Sequence, residues 1–329
     1  MPIIPISCPS CGASLRVDSN KDAAICDYCG KPYIVKDAIV SNYINNVTYK
    51  NNYDMHRVGD SKSKDFEVHG GKLIKYNGEA TDVVIPDNVK VIGEEVFESL
   101  PITSVKIPSS VAEIGRYAFH ACKELVNVNI SKGVKKIENC AFEECKSITK
   151  IELPAGLEDI GPGAFEYCIS LTSVTIPSSV ISLGVYAFKN CTSLTSVTIP
   201  SSVTSLESCA FEGCSSLTSV IIQCSENIFR QRVFSGCSSL RSVTLPQDFF
   251  GSGKTTELST FQGCGALTEV KGLKFDDMVN HREFFNHTPI YDKLTSAYYR
   301  NEGLCQHCGG KFSGIFSLRC SCCGKNKDY

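Results

Sequence analysis

Eight cysteines near the two ends of the chain have the spacing of metal ligands. They form four Cys-x-x-Cys pairs, each followed directly by glycine: Cys8 and Cys11, Cys26 and Cys29, Cys305 and Cys308, Cys320 and Cys323. Four thiolates from two such pairs suit tetrahedral zinc, and the glycine gives the backbone freedom to turn its amides toward sulfur. The spacing predicts two structural zinc ions, one in a zinc ribbon over residues 1–36 and one in a ribbon over residues 301–329.

Disulfide bonds compete with zinc for the same cysteines, but they persist only in an oxidising compartment. The sequence has no basic segment before a long apolar stretch and no run of about 18 apolar residues, so it predicts neither a secretory signal nor a membrane span. We therefore expect a cytoplasmic protein with reduced thiols, which favours zinc. Cys322 follows Cys320 by two residues and either replaces a ligand or is a spare thiol, whereas His307 is expected to be a solvated spacer.

The charge distribution argues against nucleic acid as the partner. The chain has 33 Lys and Arg against 35 Asp and Glu, a formal net charge of -2. Residues 1–70 contain eight basic and eight acidic side chains, and residues 274–329 contain eight and six. Phosphate binding needs clustered cations, so these nearly neutral ribbons predict a structural cap or a protein contact. A nucleic-acid-associated zinc-ribbon protein is the alternative function.

The sequence between the predicted ribbons repeats itself. The motif Ala-Phe-x-x-Cys recurs every 23 residues, with Val233 in place of the alanine in the last regular copy. Further copies contain Phe97, Phe261 after a four-residue insertion, and, in degenerate form, Phe285. A second landmark, Val-x-Ile-Pro or a near variant, precedes the first in most copies. The phenylalanines in strict register are Phe119, Phe142, Phe165, Phe188, Phe211 and Phe234.

The unit over residues 194–217 shows how such a repeat closes into a coil. Its alternating pattern predicts a short half-buried strand that ends at Pro200, because proline cannot continue the ladder. Val203 and Leu206 then turn back under the coil, and Ala-Phe-x-x-Cys brings apolar residues to the opposite wall. When the copies stack, each apolar side chain packs on the equivalent side chain of the next coil, which forms a continuous core. Nine coils at a strand spacing of about 4.8 Å make a parallel sheet about 40 Å long.

This pattern resembles the BspA-like leucine-rich repeats, a bacterial family with 23-residue units of the form L-x-x-[VI]-x-[IL]-P-x-x-[VIL]-x-x-[IL]-x-x-x-A-F-x-x-C. The resemblance covers about residues 66–295, with residues 66–86 similar to the N-terminal cap and residues 285–291 similar to the terminal repeat. It implies an α/β-type repeat solenoid over residues 66–300, of about nine coils, with a parallel β-sheet on the concave side. Members serve as interaction surfaces, often as adhesins, so a surface adhesin is a further alternative if the chain is exported by an unrecognised route.

Two other segments are interpreted from their composition. Residues 37–65 are rich in Asn, Lys, Ser and Asp, which favour turns over a packed core, so we expect a flexible linker. Residues 251–256 resemble the end of a phosphate-binding loop, but the first glycine of that motif would fall at Asp248. We therefore predict a surface loop there.

Seven cysteines recur in register within the repeats, and we expect each to be a small buried hydrophobe where successive coils pack. They are Cys122, Cys145, Cys168, Cys191, Cys214, Cys237 and Cys264. On this interpretation, replacing one by serine buries a poorly satisfied hydroxyl and costs about 1 to 3 kcal/mol. Cys140, Cys209 and Cys224 fall outside this ladder and are expected to contribute packing.

The polar residues indicate an interaction module rather than an enzyme. The six histidines are scattered and are predicted to pair with no strand carboxylate, and no triad, acid pair or open metal site is evident. A sheet with rows of side chains at fixed spacing suits an extended protein or peptide partner. Most of the predicted outward strand positions are small or neutral, and Ser and Thr fill the middle coils. The interaction surface is predicted where other residues interrupt them, at Asn127, Asn129, Lys150 and Glu152.

Overall fold

The structure, a computed structural model, describes the repeats and parts of both ends of the chain. The described residues are 3–7, 14–18, 23–25, 32–34, 64–225, 228–250, 259–302, 304, 311–313 and 319–320. The chain divides into two compact units, Met1–Ser63 and Lys64–Tyr329. Most of the predicted linker over residues 37–65 and the predicted surface loop over residues 251–256 lie outside the described residues.

The first unit contains two antiparallel hairpins. Strand β1 (Ile3–Ser7) pairs with β2 (Ser14–Asp18), and β3 (Ala23–Ile25) pairs with β4 (Pro32–Ile34). Each Cys-x-x-Cys pair of this unit falls in the sequence between the two strands of one hairpin.

The second unit contains many short strands followed by helices near its end. Its strands in chain order are β5 (Phe66–His69), β6 (Lys72–Tyr76), β7 (Asp82–Val84), β8 (Val91–Ile92), β9 (Ser104–Ile107), β10 (Glu113–Ile114), β11 (Asn127–Ile130), β12 (Lys136–Ile137), β13 (Lys150–Ile151), β14 (Asp159–Ile160), β15 (Ser173–Val174), β16 (Ser182–Leu183), β17 (Ser196–Ile199), β18 (Ser205–Leu206), β19 (Ser219–Ile222), β20 (Ser242–Thr244), β21 (Glu269–Lys271), β22 (Phe312–Ser313) and β23 (Arg319–Cys320). Its helices are α1 (Phe275–Asn280), a 3-10 helix (Arg282–Phe285) and α2 (Pro289–Asn301). None of the described helices is long and apolar enough to cross a membrane.

Most coils contribute one strand to each of two parallel arrays. Sheet A consists of β5, β6, β8, β10, β12, β14, β16 and β18, and the antiparallel hairpin β5–β6 forms its first edge. Sheet B is the other row, β7, β9, β11, β13, β15, β17, β19, β20 and β21, which is hydrogen-bonded in three pieces within the described chain. Regular partners are 23 residues apart, as with Val105 and Val128 or Val197 and Val220. The repeat length therefore sets the register directly.

The phenylalanines of the repeats form one continuous stack through the core. The rings of Phe97 and Phe119 are 4.9 Å apart between centroids with an interplanar angle of 1°, and Phe165 and Phe188 are 5.1 Å apart at 10°. The core phenylalanines are buried, as are the leucines that open each repeat. We number the coils by these rings, from coil one at Phe97 to coil eight at Phe261. This parallel stacking confirms the predicted core, in which equivalent side chains of successive coils pack on one another.

The ten residues that follow a sheet A strand make the third side of each coil, which we call the turn face. In coil five it spans residues 184–193. Tyr186 and Asn190, two residues on either side of Phe188, have φ of 61° and 57°. The backbone N–H groups of these three residues donate to carbonyl oxygens of the next coil, at 3.2, 2.8 and 2.8 Å. Hydrogen bonds between coils thus offset the roughly 1 to 2 kcal/mol cost of each left-handed residue.

The structure corrects two details of the predicted fold. The described repeats contain no α-helix, so the α/β-type designation is wrong for them and they form a β-solenoid of about eight coils. The degenerate ninth copy folds instead as helices: Phe285 ends the 3-10 helix, although its ring still stacks on Phe261 at 6.0 Å. Aromatic side chains at this end pack edge to face, as Phe284 does on Phe249 and Phe261, so the copy closes the stack rather than extending the sheets.

Candidate functional site

The predicted zinc ligands fall almost entirely outside the described residues. Cys320 is the exception, because it ends strand β23, where its backbone pairs with Phe312. The other seven, Cys8, Cys11, Cys26, Cys29, Cys305, Cys308 and Cys323, are not described, and neither is Cys322. Within the described part of the chain, no group of three or more His, Cys, Asp or Glu side chains is arranged to hold a metal ion. The two predicted sites remain predictions.

The predicted interaction residues lie on sheet B with their side chains exposed. Asn127 and Asn129 are on β11, Lys150 begins β13, and Glu152 follows that strand directly. The Lys150 ammonium donates to the Glu152 carboxylate at 2.9 Å, and this hydrogen bond lowers the pKa of Glu152. An exposed pair of this kind cancels most of its own field, so this part of sheet B is nearly neutral.

The ladder cysteines make a contact that the sequence did not reveal. The Cys191 thiol donates a hydrogen bond to the carbonyl oxygen of Phe165 in the preceding coil, at 3.2 Å. The same carbonyl also accepts the backbone N–H of Cys168, which closes its own turn. All seven ladder cysteines repeat the thiol contact, at 2.9 to 3.3 Å. The predicted burial is confirmed, and each thiol also connects two coils.

Replacing Cys191 tests this contact. Since the Phe165 carbonyl lies ready to accept a hydroxyl proton, the poorly satisfied serine expected from the sequence does not arise. We expect Cys191→Ser to cost about 1 kcal/mol and Cys191→Ala about 2 kcal/mol, because alanine loses both the donor and packed volume. Urea unfolding measures both values. Equal costs would show that the hydrogen bond contributes nothing.

A thiol reagent supplies the control for the same interpretation. Burial raises the pKa of Cys168 to about 12 and raises that of Cys191 well above its usual value. Because the thiolate is the reactive form, ladder cysteines should be labelled only as the chain unfolds. Rapid labelling of Cys191 in the folded protein would contradict this account.

The turn face carries a row of charged side chains one residue after each phenylalanine. His120 lies between two carboxylates, with Nδ1 3.0 Å from Glu98 and Nε2 3.9 Å from Glu143. Lys189 likewise lies between Glu166 at 3.6 Å and Glu212 at 3.7 Å. The complete row in coils one to six is Glu98, His120, Glu143, Glu166, Lys189 and Glu212.

Two carboxylates of this row are adjacent along the stack without a cation between them. Glu143 and Glu166 belong to coils three and four, and 20% and 13% of their side chains are exposed. Burial raises the pKa of Glu166, and the Glu143 carboxylate raises it further against the lowering effect of Lys189. Burial and Glu143 likewise raise the pKa of Cys140 to about 12. This part of the turn face therefore carries excess negative charge.

Tyrosines accompany these carboxylates. Tyr117 and Tyr186 occupy the position two residues before phenylalanine in coils two and five, and Tyr167 lies two residues after Phe165. Tyr167, Tyr186 and the nearby Ile169 are 38 to 39% exposed. The sequence-based prediction of the interaction surface missed this face, although the repeat alignment already places the two tyrosines in one column and four glutamates in another.

The prediction that no histidine pairs with a strand carboxylate was wrong in one case. His69 and Glu67 both lie on β5, with His69 Nε2 3.1 Å from the Glu67 carboxylate. Both side chains are largely exposed, so the pair lies in solvent. The His281 ring stacks on Phe250 at 4.3 Å, and burial lowers its pKa. Neither arrangement places a nucleophile beside a base.

The comparisons with known proteins agree on the repeats. The sequence profile of the BspA type leucine-rich-repeat region matches residues 73–184 and 158–290, in six copies. The crystal structure of a T. pallidum leucine-rich-repeat protein is similar, with a TM-score of 0.52 and 31% identity over 55% of this chain and 91% of that one. Leucine-rich-repeat proteins of Bacteroides ovatus (26% identity, TM-score 0.32, 64% of this chain and 74% of that one) and Bacteroides capillosus (32%, 0.31, 33% and 90%) also match. None of the curated protein sequences matches the chain significantly.

Proposed function

Because this chain belongs to the BspA-type leucine-rich-repeat family, we propose that it is a non-catalytic scaffold that binds another protein or a peptide. The observation that carries the proposal is the uninterrupted stack, which repeats the same outward positions about every 5 Å along one rigid core. Such rows match an extended polypeptide better than a small substrate. Among the described side chains, the ladder thiols with raised pKa values, such as Cys168, are buried in the core, and Glu166 belongs to the turn-face row, so burial is the main cause of these shifts.

Sheet B offers one surface for a partner, at Asn127, Asn129, Lys150 and Glu152. Here two amides and an ion pair interrupt rows that are mostly Ser and Thr elsewhere. The interaction is testable without disturbing the fold, because Lys150 and Glu152 form an exposed ion pair at 2.9 Å, and exchanging them keeps opposite charges at the two positions while reversing their order.

We expect the exchange Lys150→Glu with Glu152→Lys to weaken the binding of a protein partner isolated from source cells. The affinity should fall by about tenfold, or about 1.4 kcal/mol. The affinity is measured by titrating the purified partner against each variant. The matched control exchanges Glu269 and Lys271, an exposed pair 3.1 Å apart on β21, and should leave the affinity unchanged. Equal affinity for both exchanged proteins and the wild type would exclude this part of sheet B.

Structural zinc at both ends completes the proposal. The N-terminal hairpins support it, since paired residues Ser7 and Ser14 flank the first Cys-x-x-Cys segment and Ile25 and Pro32 flank the second. The pairing of β22 with β23 likewise brings the strand that ends at Cys320 into a hairpin. Four thiolates are the donor set that zinc prefers for structural sites, where it would cross-link two turns. We propose a cytoplasmic location, in which these thiols stay reduced.

A further inference from the structure

The turn faces of coils four and five carry an exposed apolar patch next to charge. Tyr167, Ile169 and Tyr186 are each more than a third exposed, and they are the large hydrophobic side chains of this face that solvent reaches most. Clusters of exposed apolar side chains with polar rims commonly mark contacts with other proteins. Tyrosine in particular combines contact area with a ring that attracts cations.

The tyrosine rings of this face already accept cations from the chain itself. The Lys189 ammonium lies 4.2 Å from the centroid of the Tyr186 ring, and the Arg116 guanidinium lies 4.8 Å from that of Tyr117. These contacts show that the ring faces are oriented toward positions that a positive group can reach. The exposed parts of the same rings remain open to a cation from a partner.

The surrounding charge favours a basic partner. The turn segments of coils one to six contain ten glutamates, no aspartate and four Lys or Arg residues. Glu143 and Glu166 are adjacent along the stack, and Lys189 is the cation of the row that offsets Glu166. A cation that approaches them is therefore attracted, whereas an anionic partner such as nucleic acid is repelled.

The Glu166 carboxylate reaches the column of the turn face that contains two of the tyrosines. In the column two residues before phenylalanine, Tyr117 and Tyr186 are separated by Cys140 and Gly163. A Cβ on Gly163 would lie 3.0 Å from the Cys140 sulfur and 3.5 Å from a Glu166 carboxylate oxygen. Since glycine has no such atom, the Cys140 sulfur and the Glu166 carboxylate occupy this space, and a carboxylate thus lies in the column between the two tyrosines.

We propose that the turn face of coils three to five docks a lysine- or arginine-rich segment of a partner protein. Its basic side chains lie against Tyr167 and Tyr186 and face Glu143 and Glu166. This inference rests on the proposed function and names the chemistry of the partner. Sheet B fits such a segment less well, because its Lys150–Glu152 pair is neutral as a whole, whereas the turn segments carry an excess of glutamates.

A labelled peptide of lysine and serine residues is the probe, titrated into the full-length protein and followed by fluorescence anisotropy. The matched peptide has glutamine in place of lysine. We expect the lysine peptide to bind and the glutamine peptide not to bind. The double substitution Glu143→Gln with Glu166→Gln should lower the affinity for the lysine peptide about tenfold, and Tyr186→Leu should lower it about fivefold. The control Asp82→Asn with Glu269→Gln removes two exposed carboxylates from sheet B and should leave the affinity unchanged.

Lys189→Gln distinguishes docking from a structural effect. Removing this ammonium frees the Tyr186 ring and leaves Glu166 and Glu212 without their shared cation. The lysine peptide should therefore bind about fivefold more tightly to this variant. A variant that merely damaged the fold would bind less, and thermal unfolding of every variant confirms that it is folded.

Three results would overturn the inference. They are equal binding of the two peptides, equal weakening by the turn-face and sheet B carboxylate changes, and weaker binding to Lys189→Gln. The second would mean attraction by net charge alone. If the partner from source cells binds the wild type while the lysine peptide does not, this inference fails and the proposed function stands. If no protein partner is bound at all, the proposed function fails.

Discussion

Replacing Phe188 by alanine is expected to lower the free energy of unfolding by about 3 to 5 kcal/mol. The ring is fully buried and stacks at 5.1 Å on Phe165 and at 5.2 Å on Phe211. Its removal creates a cavity at two coil interfaces at once, and each coil of a solenoid is stabilised through its neighbours. Urea unfolding of the full chain, followed by circular dichroism, measures the loss.

Phe275 provides a matched control for this substitution. It begins helix α1 and is 45% exposed, so Phe275→Ala should change the free energy of unfolding by less than about 1 kcal/mol. A loss at Phe188 no larger than that at Phe275 would contradict the role of the ring stack. So would a loss smaller than that of a leucine in the same core, such as Leu194→Ala.

Removal of zinc is expected to have a still larger effect, confined to the two ends of the chain. A structural zinc site contributes on the order of 10 kcal/mol to the folding of a small module, far more than a short hairpin gains by itself. Native mass spectrometry of freshly purified protein should show two zinc ions. After chelation, limited proteolysis should cut within residues 1–36 and 301–329, while the repeats stay intact.

Single substitutions assign each ion to its cysteines. Cys29→Ser should retain one zinc ion, whereas Cys140→Ser, a half-buried cysteine outside the Cys-x-x-Cys pairs, should retain two. A reduced chain without metal would contradict the zinc proposal. Disulfides between the paired cysteines would do so as well, and would favour the exported adhesin instead. Nucleic acid recovered with the protein would favour the alternative of a nucleic-acid-associated protein.

The core was predictable because each of its columns has one chemical character. The same 23-residue spacing separates the phenylalanines from Phe119 to Phe234 and the cysteines from Cys122 to Cys237. Because each of these side chains packs on its equivalent in the next coil, the register between coils is fixed. The sheet B strands were predictable for the same reason, from alternation before proline. The interaction surface on sheet B and the zinc ligands remain predictions, since chemistry at those positions depends on partners and metal.

Sheet A was missed because its strands after β6 are two residues long. Pairs such as Lys136–Ile137 or Ser182–Leu183 contain one apolar residue each, which is too short for an alternating pattern. They become strands only because the stacked copies supply a partner on each side. The turn face was missed for a different reason: its columns vary in residue type, and their common property is position relative to phenylalanine.

The ninth copy of the repeat does not fold as a coil. Phe285 keeps its place in the ring stack, but Thr288 and Pro289 follow it where a cysteine would hold the next turn. The Thr288 hydroxyl donates to the Phe285 carbonyl at 2.6 Å, and helix α2 begins at the proline. A local hydrogen bond thus replaces the contact between coils, and the sequence could not indicate this from the pattern alone.

In coils one to six, three backbone N–H groups of each turn face donate in the same direction along the solenoid. They belong to the phenylalanine and to the residues two positions before and after it, and they donate to the C-terminal neighbour, as Phe97 does to Ala118 and Phe188 does to Ala210, both at 2.8 Å. Their peptide dipoles therefore add, as they do in an α-helix, but with the negative end at the first coil. These three columns of the turn face acquire an electrical polarity that no side chain supplies. Glu94, Glu95 and Glu98 lie at that negative end, where backbone and side chains together attract a cation.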